Sequence, residues 1–334
     1  MRTAMFGCGA MGTVMGAILN REGVKMDMID IYEDHVNEMN AKGAKLIGSE
    51  NFTQPVNALL PSQMEGIYDL IILLTKQTAN QQAFEQISKH VDENSTILTL
   101  QNGFPEPYVA NFFGEERTVG GTLLWGATFI EPGVSEVTEP LEKKEILFEI
   151  GRINGKVDDR VKMIAEILEK MGTTVITTEL EKSRWNKVLY NSCMSGMSAA
   201  LCCEFGRILD NEKGMKQIGR LAEEVVNVCK ASGASFEDFL EEIIASSEGD
   251  LQTRMIKFFS QGYANMRPAK ASMLQDLEKN KMTEVEYING YVTLMGRKHN
   301  VATPTHDLIV KMVHEHEKED GMLSFEENLS RFED

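Results

Sequence analysis

The most restrictive feature of the sequence is a glycine-rich run close to its start. Residues 7–12 match the pattern G-x-G-x-x-G, directly after a predicted strand at 2–6 and at the start of a predicted helix at 10–21. In such a unit the first glycine permits a tight turn, the second lets a pyrophosphate approach the backbone, and the third allows the helix to pack closely on the strand. The pattern predicts a dinucleotide site, although glycines also mark ordinary turns. The predicted cofactor-binding residues here are Gly7, Cys8, Gly9, Ala10, Met11 and Gly12.

The second predicted strand, at 25–30, ends on Asp30. Dinucleotide-binding folds place an acidic residue about 20 residues after the glycine motif, and Asp30 lies close to that spacing. A carboxylate there accepts hydrogen bonds from the ribose hydroxyls and repels a 2′-phosphate. Asp30 therefore favours NAD over NADP as the form of NAD(P)H that is used. Capping of the next predicted helix, at 33–42, is the alternative role for this residue.

The order of the predicted elements indicates the fold class. Apolar strands at 69–75 and 96–100 alternate with helical patterns at 33–42 and 78–90, as in βαβ units. Turn-rich segments between 118 and 151 predict antiparallel strands, and only helical patterns follow Glu179. We therefore predict an α/β protein, with a Rossmann-type dinucleotide-binding domain at 1–180 and an all-α substrate and dimerisation domain at 181–334. A substrate cleft between the two domains is expected.

Composition limits which partners the chain can bind and in which cellular compartment it is expected. With 34 Lys and Arg against 51 Asp and Glu, the net charge of −17 would repel nucleic acid. Part of that charge lies between residues 315 and 334, where we expect a solvated acidic tail. The five cysteines are odd in number and lack metal-site spacing, which predicts free thiols. Without a leader pattern or an apolar run of about 18 residues, a cytoplasmic protein with no membrane partner is expected.

A polar stripe crosses an apolar helical pattern in the second half. Lys187, Asn191 and Ser195 recur every four residues, so that they share one helix face. A lysine in a buried cleft can donate a proton when its pKa falls toward neutrality. Further on, Thr283 precedes Glu284, and an acid at a helix start is also explained by capping and the helix dipole. Spacing alone therefore leaves both a catalytic and a structural role open for Lys187 and Glu284.

Six segments in order resemble the ketopantoate reductase (2-dehydropantoate 2-reductase) family. The resemblance covers residues 1 to about 316. The segments are the glycine run at 7–12, Leu74-Thr75-Lys76, Gln101-Asn102-Gly103, Lys187 with Asn191, Ser-Met-Leu-Gln-Asp at 272–276, and Thr-Glu-x-x-Tyr-Ile-Asn-Gly at 283–290.

The resemblance implies a role for each matching residue. Lys187 would be the general acid that protonates the ketone oxygen of a 2-oxo acid, while NAD(P)H delivers hydride to the carbon. Glu284 would hydrogen-bond and orient the substrate, and Ser272 would bind its carboxylate. Asn191 and Asn102 would help to position lysine, cofactor and substrate. Lys76 matches a family lysine near the cofactor, and Ser195 falls where the family often has a second asparagine.

Departures from the family pattern keep alternatives in view. Many members carry a basic residue after the second strand, where this chain has Asp30 and Ile31, and another polar residue where it has Ala269. A less polar pocket would suit an NAD-dependent D-2-hydroxyacid dehydrogenase of the D-mandelate type, which shares the fold. A hypothesis of another class is a non-catalytic dinucleotide sensor. His314 and His316 are assigned to the end of a helix rather than to a metal site.

Overall fold

The computed structural model describes residues 1–318 and 323–333, and the chain divides into two compact units. The first unit comprises residues 1–101 and 105–180, and the second comprises residues 102–104 and the chain from Glu181 onward. The first unit is mixed α/β and the second is built from helices, so the predicted fold class is confirmed.

The strands of the first unit form two sheets. In chain order they are β1 Thr3–Phe6, β2 Met26–Ile29, β3 Ala44–Gly48, β4 Phe52–Gln54, β5 Asn57–Leu59, β6 Leu70–Leu73, β7 Thr96–Thr99, β8 Thr118–Leu123, β9 Ala127–Glu131, β10 Val134–Val137, β11 Phe148–Gly151 and β12 Thr174–Ile176. Among the described residues, the larger sheet has the order β12-β11-β8-β7-β6-β1-β2-β5. The six strands from β8 to β5 are parallel and follow the doubly wound order, whose switch point lies between β1 and β6.

Helices cover both faces of this sheet, which explains why its central strands β1 and β6 are buried along their whole length and largely apolar. The helices of the first unit are α1 Ala10–Arg21, α2 Glu33–Lys42, α3 Asn80–Ile87, α4 Glu106–Phe113 and α5 Asp159–Leu168. Successive side chains of a strand point to opposite faces. In β1, Met5 joins one buried cluster, whereas its neighbours Ala4 and Phe6 join the other. A parallel sheet buried on both faces needs strands without polar alternation.

The smaller sheet, ordered β4-β3-β10-β9, was not predicted as a separate sheet. Its strand β10 pairs antiparallel with β9, as expected, but also parallel with β3, which lies far away in the sequence. Within the larger sheet, β8 is antiparallel to β11 but parallel to β7. The expected antiparallel strands at 118–151 are therefore confirmed, because β9 pairs with β10 and β8 pairs with β11, while the parallel partners β3 and β7 lie outside this segment.

The second unit is a helical assembly around one core. Its helices are α6 Leu180–Tyr190, α7 Gly196–Leu201, α8 Phe205–Leu209, α9 Glu212–Ala231, α10 Asp238–Ala245, α11 Leu251–Gly262, α12 Ser272–Glu278, α13 Val285–His299, α14 Pro304–His316 and α15 Phe325–Ser330. A π-helical segment, Asn191–Ser195, joins α6 to α7. The longest helix, α9, buries residues spaced three and four apart, such as Ile218, Leu221, Val225 and Val228. None of the helices that the structure describes is long and apolar enough to cross a membrane.

The acidic end of the chain differs from the expected solvated tail. Residues 315 and 316 still belong to α14, and α15 follows with a capping box between Ser324 and Glu327. Phe325, Leu329 and Phe332 are buried in the core of the second unit. Glu326, Glu327 and Glu333 are exposed while these three apolar residues pack inward, so charge counting alone misjudged this segment. Residues 319–322 and 334 lie outside the described residues.

Candidate active site

The glycine turn of the first unit follows β1 at the switch point of the sheet. Gly7 has φ +99°, and a Cβ there would lie 2.5 Å from the backbone nitrogen of Thr75, which follows β6. A Cβ on Gly12 would lie 2.1 Å from the carbonyl oxygen of Gly7. The turn therefore requires glycine at both positions for its own packing.

Gly9 is different, because the packing of the protein does not require a glycine there. It is exposed, and a Cβ would meet nothing within 4 Å. Gly9 is the N-cap of α1 and has no side chain to cap it, so the first backbone N–H groups of α1 face outward beside open space. This arrangement suits an anionic phosphate group, and the residues at the turn therefore fit a dinucleotide.

A buried histidine, His35, supports the glycine turn through hydrogen bonds, and the sequence analysis did not predict this role. Gly133 donates its N–H to His35 Nδ1 at 2.8 Å, so the proton of the neutral ring is on Nε2, which lies 2.7 Å from the carbonyl oxygen of Cys8. The Thr13 hydroxyl also donates to that carbonyl at 2.7 Å. Burial lowers the pKa of His35, although Asp30 and the Cys8 carbonyl oppose the shift. The Cys8 thiol is itself buried, which raises its pKa well above the ordinary value.

The segment after β6 lies beside the glycine turn. The amide of Gln101 donates to the carbonyl oxygen of Thr75 at 2.8 Å and to Asn80 Oδ1 at 2.7 Å. Gln101 thus fixes the backbone that precedes Lys76, which is partly buried. This geometry gives the glutamine of the Gln101-Asn102-Gly103 motif a structural task.

Asp30 directly follows β2 and is partly buried. Its Oδ1 accepts the backbone N–H of Tyr32 at 2.9 Å, so the carboxylate stabilises its own turn. The N-cap of α2 is Tyr32. Asp30 therefore does not cap α2, which was the alternative role expected for it.

In the second unit, Lys187 lies near the end of α6 and is partly buried. Removal from water lowers the pKa of its ammonium to about 7, and repulsion from the buried Arg184 adds to the shift. The carboxylate of Glu284 opposes the shift by attraction. An amine with a pKa near neutrality can both hold and release a proton at physiological pH.

The helix that carries the polar stripe is not regular. Lys187 belongs to α6, whereas Asn191 and Ser195 are the first and last residues of the π-helical segment. The step of four residues from Lys187 to Asn191 rotates slightly more than one turn of an α-helix, which has 3.6 residues per turn. The step of four residues from Asn191 to Ser195 rotates slightly less than one turn of the wider π-helix. The two deviations have opposite signs, so the π segment brings Ser195 back toward the face of Lys187.

Glu284 is buried at the start of α13. It is the N-cap residue, but its side chain does not cap the helix. Thr283 Oγ1 instead accepts the N–H of Val285 at 3.2 Å, and Glu317 accepts from both the N–H and the hydroxyl of Thr283. Neighbouring residues therefore perform the capping that sequence reasoning offered as the structural explanation of Glu284.

Two further predicted residues have contrasting surroundings. Ser272 is exposed and is the first residue of α12. Asn102 is partly buried, in the short stretch assigned to the second unit. Phe104 anchors that stretch by stacking on Tyr291, with ring centroids 4.4 Å apart, and by an edge contact with Trp185 at 5.2 Å. The sequence analysis did not predict this role of Phe104.

Comparison with known proteins relates this geometry to one family. The model of ketopantoate reductase PanE/ApbA matches residues 3–148, and the model of its C-terminal part matches residues 179–317. The chain belongs to the ketopantoate reductase family. The resemblance drawn from its six motifs is thereby confirmed, and the chain is an oxidoreductase that acts on a keto or CH–OH group.

Individual proteins of known name agree with the family assignment. The 2-dehydropantoate 2-reductase of Lactococcus lactis is 26% identical over 324 residues, which cover 95% of this chain and 98% of that protein. The crystal structure of 2-dehydropantoate 2-reductase from Geobacter metallireducens has a TM-score of 0.79 at 26% identity, over 94% of this chain and 99% of that one. D-mandelate dehydrogenase with NADH and anilino(oxo)acetate shares the fold, with a TM-score of 0.81 at 23% identity over 95% and 98% of the two chains.

His314 and the cysteines of this ketopantoate reductase family member have structural surroundings rather than the arrangement of a metal site. His314 bridges two carboxylates, with Glu286 and Glu317 each 2.7 Å from one ring nitrogen. Within residues 1–318 and 323–333, no cluster of His, Cys, Asp or Glu is placed to hold a metal ion. The five cysteines are free thiols, and burial raises the pKa of the Cys193 thiol, which lies within the π-helical segment.

Proposed function

We propose that this chain reduces a small 2-oxo acid to the 2-hydroxy acid with NAD(P)H, and that ketopantoate, reduced to pantoate, is the substrate. One observation carries the proposal: burial lowers the pKa of Lys187 to about 7, and the buried carboxylate of Glu284, at the start of another helix, opposes that shift. The family and its relatives support the same chemistry.

Lys187 is proposed as the general acid. A bound nicotinamide cofactor supplies the hydride that reduces the carbonyl carbon. Reduction places negative charge on the carbonyl oxygen, and the ammonium of Lys187 stabilises that charge and then transfers its proton to the oxygen. Because its pKa is near 7, the ammonium of Lys187 donates a proton more readily than an ordinary lysine, and the amine is still protonated in part of the molecules at neutral pH.

Glu284 is proposed to have two effects. Its attraction keeps a fraction of Lys187 protonated at neutral pH, since it opposes the lowering of the pKa by burial and Arg184. Its carboxylate also accepts a hydrogen bond from a substrate hydroxyl, which orients the ketone. Ketopantoate carries such a hydroxyl, so this contact favours it over 2-oxo acids that lack one.

The polar groups around Lys187 would bind the rest of the substrate. Asn191 and Ser195, both partly buried, offer hydrogen bonds from the π-helical segment. Ser272 offers its hydroxyl to the carboxylate. Asn102 is proposed to position the cofactor, together with Lys76 and the glycine turn from the first unit.

Asp30 is proposed to select NAD over NADP. Its position at the end of β2 is the one from which an acid binds the ribose hydroxyls. The residues that follow, Ile31 and Tyr32, are exposed and carry no positive charge to receive a 2′-phosphate.

A D-mandelate type of 2-hydroxyacid dehydrogenase is the second candidate. It is favoured by Ser195 and Ala269, which replace longer polar residues of the family pattern and make the pocket less polar. A homodimer formed through the helical unit remains part of the proposal, and light scattering of the purified protein tests it.

The deciding experiment is a steady-state matrix of NADH and NADPH against ketopantoate, phenylglyoxylate and branched 2-oxo acids. The proposal predicts the highest kcat/KM for ketopantoate with NADH. A preference for phenylglyoxylate supports the second candidate, and a strong NADPH preference contradicts the role of Asp30. Tight cofactor binding without turnover of any 2-oxo acid would identify a dinucleotide sensor instead.

A further inference from the structure

The π-helical segment Asn191–Ser195 is held by a side chain from another helix. Asn289, on α13, is fully buried, and its Nδ2 donates to the carbonyl oxygen of Ser192 at 2.9 Å. π turns are rare because their hydrogen bonds are less favourable than those of an α-helix, so such a segment needs support from its surroundings. Asn289 provides this support by bonding a carbonyl within the π turn.

The residue that follows the segment is shaped to admit this amide. A Cβ on Gly196 would lie 2.5 Å from Asn289 Oδ1 and 2.7 Å from Nδ2. Gly196 is helical and has an ordinary negative φ, so its backbone does not require glycine. The absence of a side chain at Gly196 therefore serves the close approach of Asn289.

The arrangement is costly for stability alone. In the described part of the chain, Asn289 Oδ1 is buried and has no hydrogen-bond partner. A buried polar atom without a partner destabilises the folded state, and an apolar side chain of similar volume would avoid that cost. A polar residue here is consistent with a role in positioning rather than in stability.

We infer that Asn289 is a positioning residue that sets the π turn, and through it the placement of Asn191 and Ser195 relative to Lys187. Asn289 lies on α13, which begins directly after Glu284. One helix therefore positions the Glu284 carboxylate at its start and supports the π turn through Asn289. This inference rests on the proposed function, because it concerns how the substrate-binding side chains are held.

The test compares Asn289→Leu, which keeps the volume and removes the donor, with wild type. We expect at least a tenfold rise in KM for the 2-oxo acid and a smaller fall in kcat, with an unchanged KM for the cofactor and a melting temperature equal to or above that of wild type. The matched control is Asn328→Leu. Asn328 is also fully buried, donates to the carbonyl of Leu323 and has a buried Oδ1 without a partner, but it lies on α15, so its replacement should leave KM unchanged.

A second pair of variants keeps the inference testable if Asn289→Leu fails to fold. Gly196→Ala should displace the amide and raise KM as Asn289→Ala does. In the double variant the added methyl group enters the space vacated by Asn289, so the two effects should not add. Additive effects, or single variants with KM within twofold of wild type, would overturn the inference. A wild-type protein that reduces no 2-oxo acid would instead refute the proposed function.

Discussion

The glycine turn of the first unit and the Lys187 region of the second are built on different physical principles. The turn depends on backbone geometry and neutral groups: two glycines are required by contact, and a neutral histidine holds a carbonyl. The Lys187 region depends on charges that are partly removed from water, namely Lys187, Arg184 and Glu284. Binding a cofactor requires room and aligned N–H groups, whereas transferring a proton requires a shifted pKa.

This difference separates the consequences of mutation. Changes at the glycine turn should act through packing or cofactor affinity and be insensitive to pH. Changes around Lys187 should leave the fold intact and alter turnover and its pH dependence.

The largest expected effect follows removal of the lysine. Lys187→Ala should lower kcat by about 1,000-fold, because a positioned general acid contributes at this scale. Its melting temperature should equal or exceed that of wild type, since a charge that is costly to bury has been removed. Steady-state kinetics and thermal unfolding of the same preparation check both parts. Lys216→Ala, at an exposed position on α9, is the control and should behave as wild type.

Two alanine substitutions within the glycine turn should have opposite consequences. Gly12→Ala places a methyl group against the Gly7 carbonyl and should destabilise the fold by about 3 kcal/mol. Gly9→Ala meets open space, so it should leave unfolding unchanged and weaken cofactor binding alone. Denaturant unfolding and cofactor titration separate the two effects. Equal destabilisation by both variants would contradict the distinction drawn between these glycines.

A smaller effect is expected at Asp30. Asp30→Ala removes the carboxylate that repels a 2′-phosphate, so the ratio of kcat/KM for NADPH to that for NADH should rise about tenfold. The variant also loses the bond to the Tyr32 N–H, and a separate measurement of its melting temperature allows for that loss. A ratio that stays the same would remove Asp30 from cofactor selection.

The smallest effects distinguish two histidines by sign. The pKa of His35 is lowered, so the unfolded state binds more protons, and its contribution to stability should be lost as pH falls through the ordinary histidine range. The pKa of His314 is raised, because Glu286 and Glu317 outweigh its burial, so its contribution should be lost as pH rises through the folded-state value. Unfolding free energies of His35→Gln and His314→Gln between pH 5 and 8.5 should show these opposite slopes relative to wild type.

Much of the first unit was predictable because its signals are local. The helix at 10–21 and the one at 33–42 occur with the bounds that periodicity predicts, and β1, β2, β6 and β7 lie within their predicted ranges. The short strands β3, β4 and β5 were missed. Many of their residues are exposed or partly buried, so their sequences lack a continuous apolar run, and β3 pairs with β10, which lies far away in the sequence.

The residues of the candidate site were visible as a pattern, but their environment was not. Spacing indicated a shared face for Lys187, Asn191 and Ser195, while the π turn and its support by Asn289 depend on tertiary contacts. His35 gave no sequence signal because its partners, Cys8 and Gly133, lie at distant positions. The end of the chain was misjudged because its acids outnumber the three apolar residues that anchor it.

The central claim is that Lys187 supplies the proton from an amine with a pKa near 7. The most direct test is the pH dependence of kcat/KM for 2-oxo acid reduction with saturating cofactor, in wild type and in Glu284→Gln, because kcat/KM reports the pKa before the 2-oxo acid binds. The account predicts a rate that falls as pH rises through about 7, with a lower midpoint in the variant, because Glu284 raises the pKa of Lys187. A rate that stays constant to pH 9, or a midpoint that does not move in the variant, would contradict it.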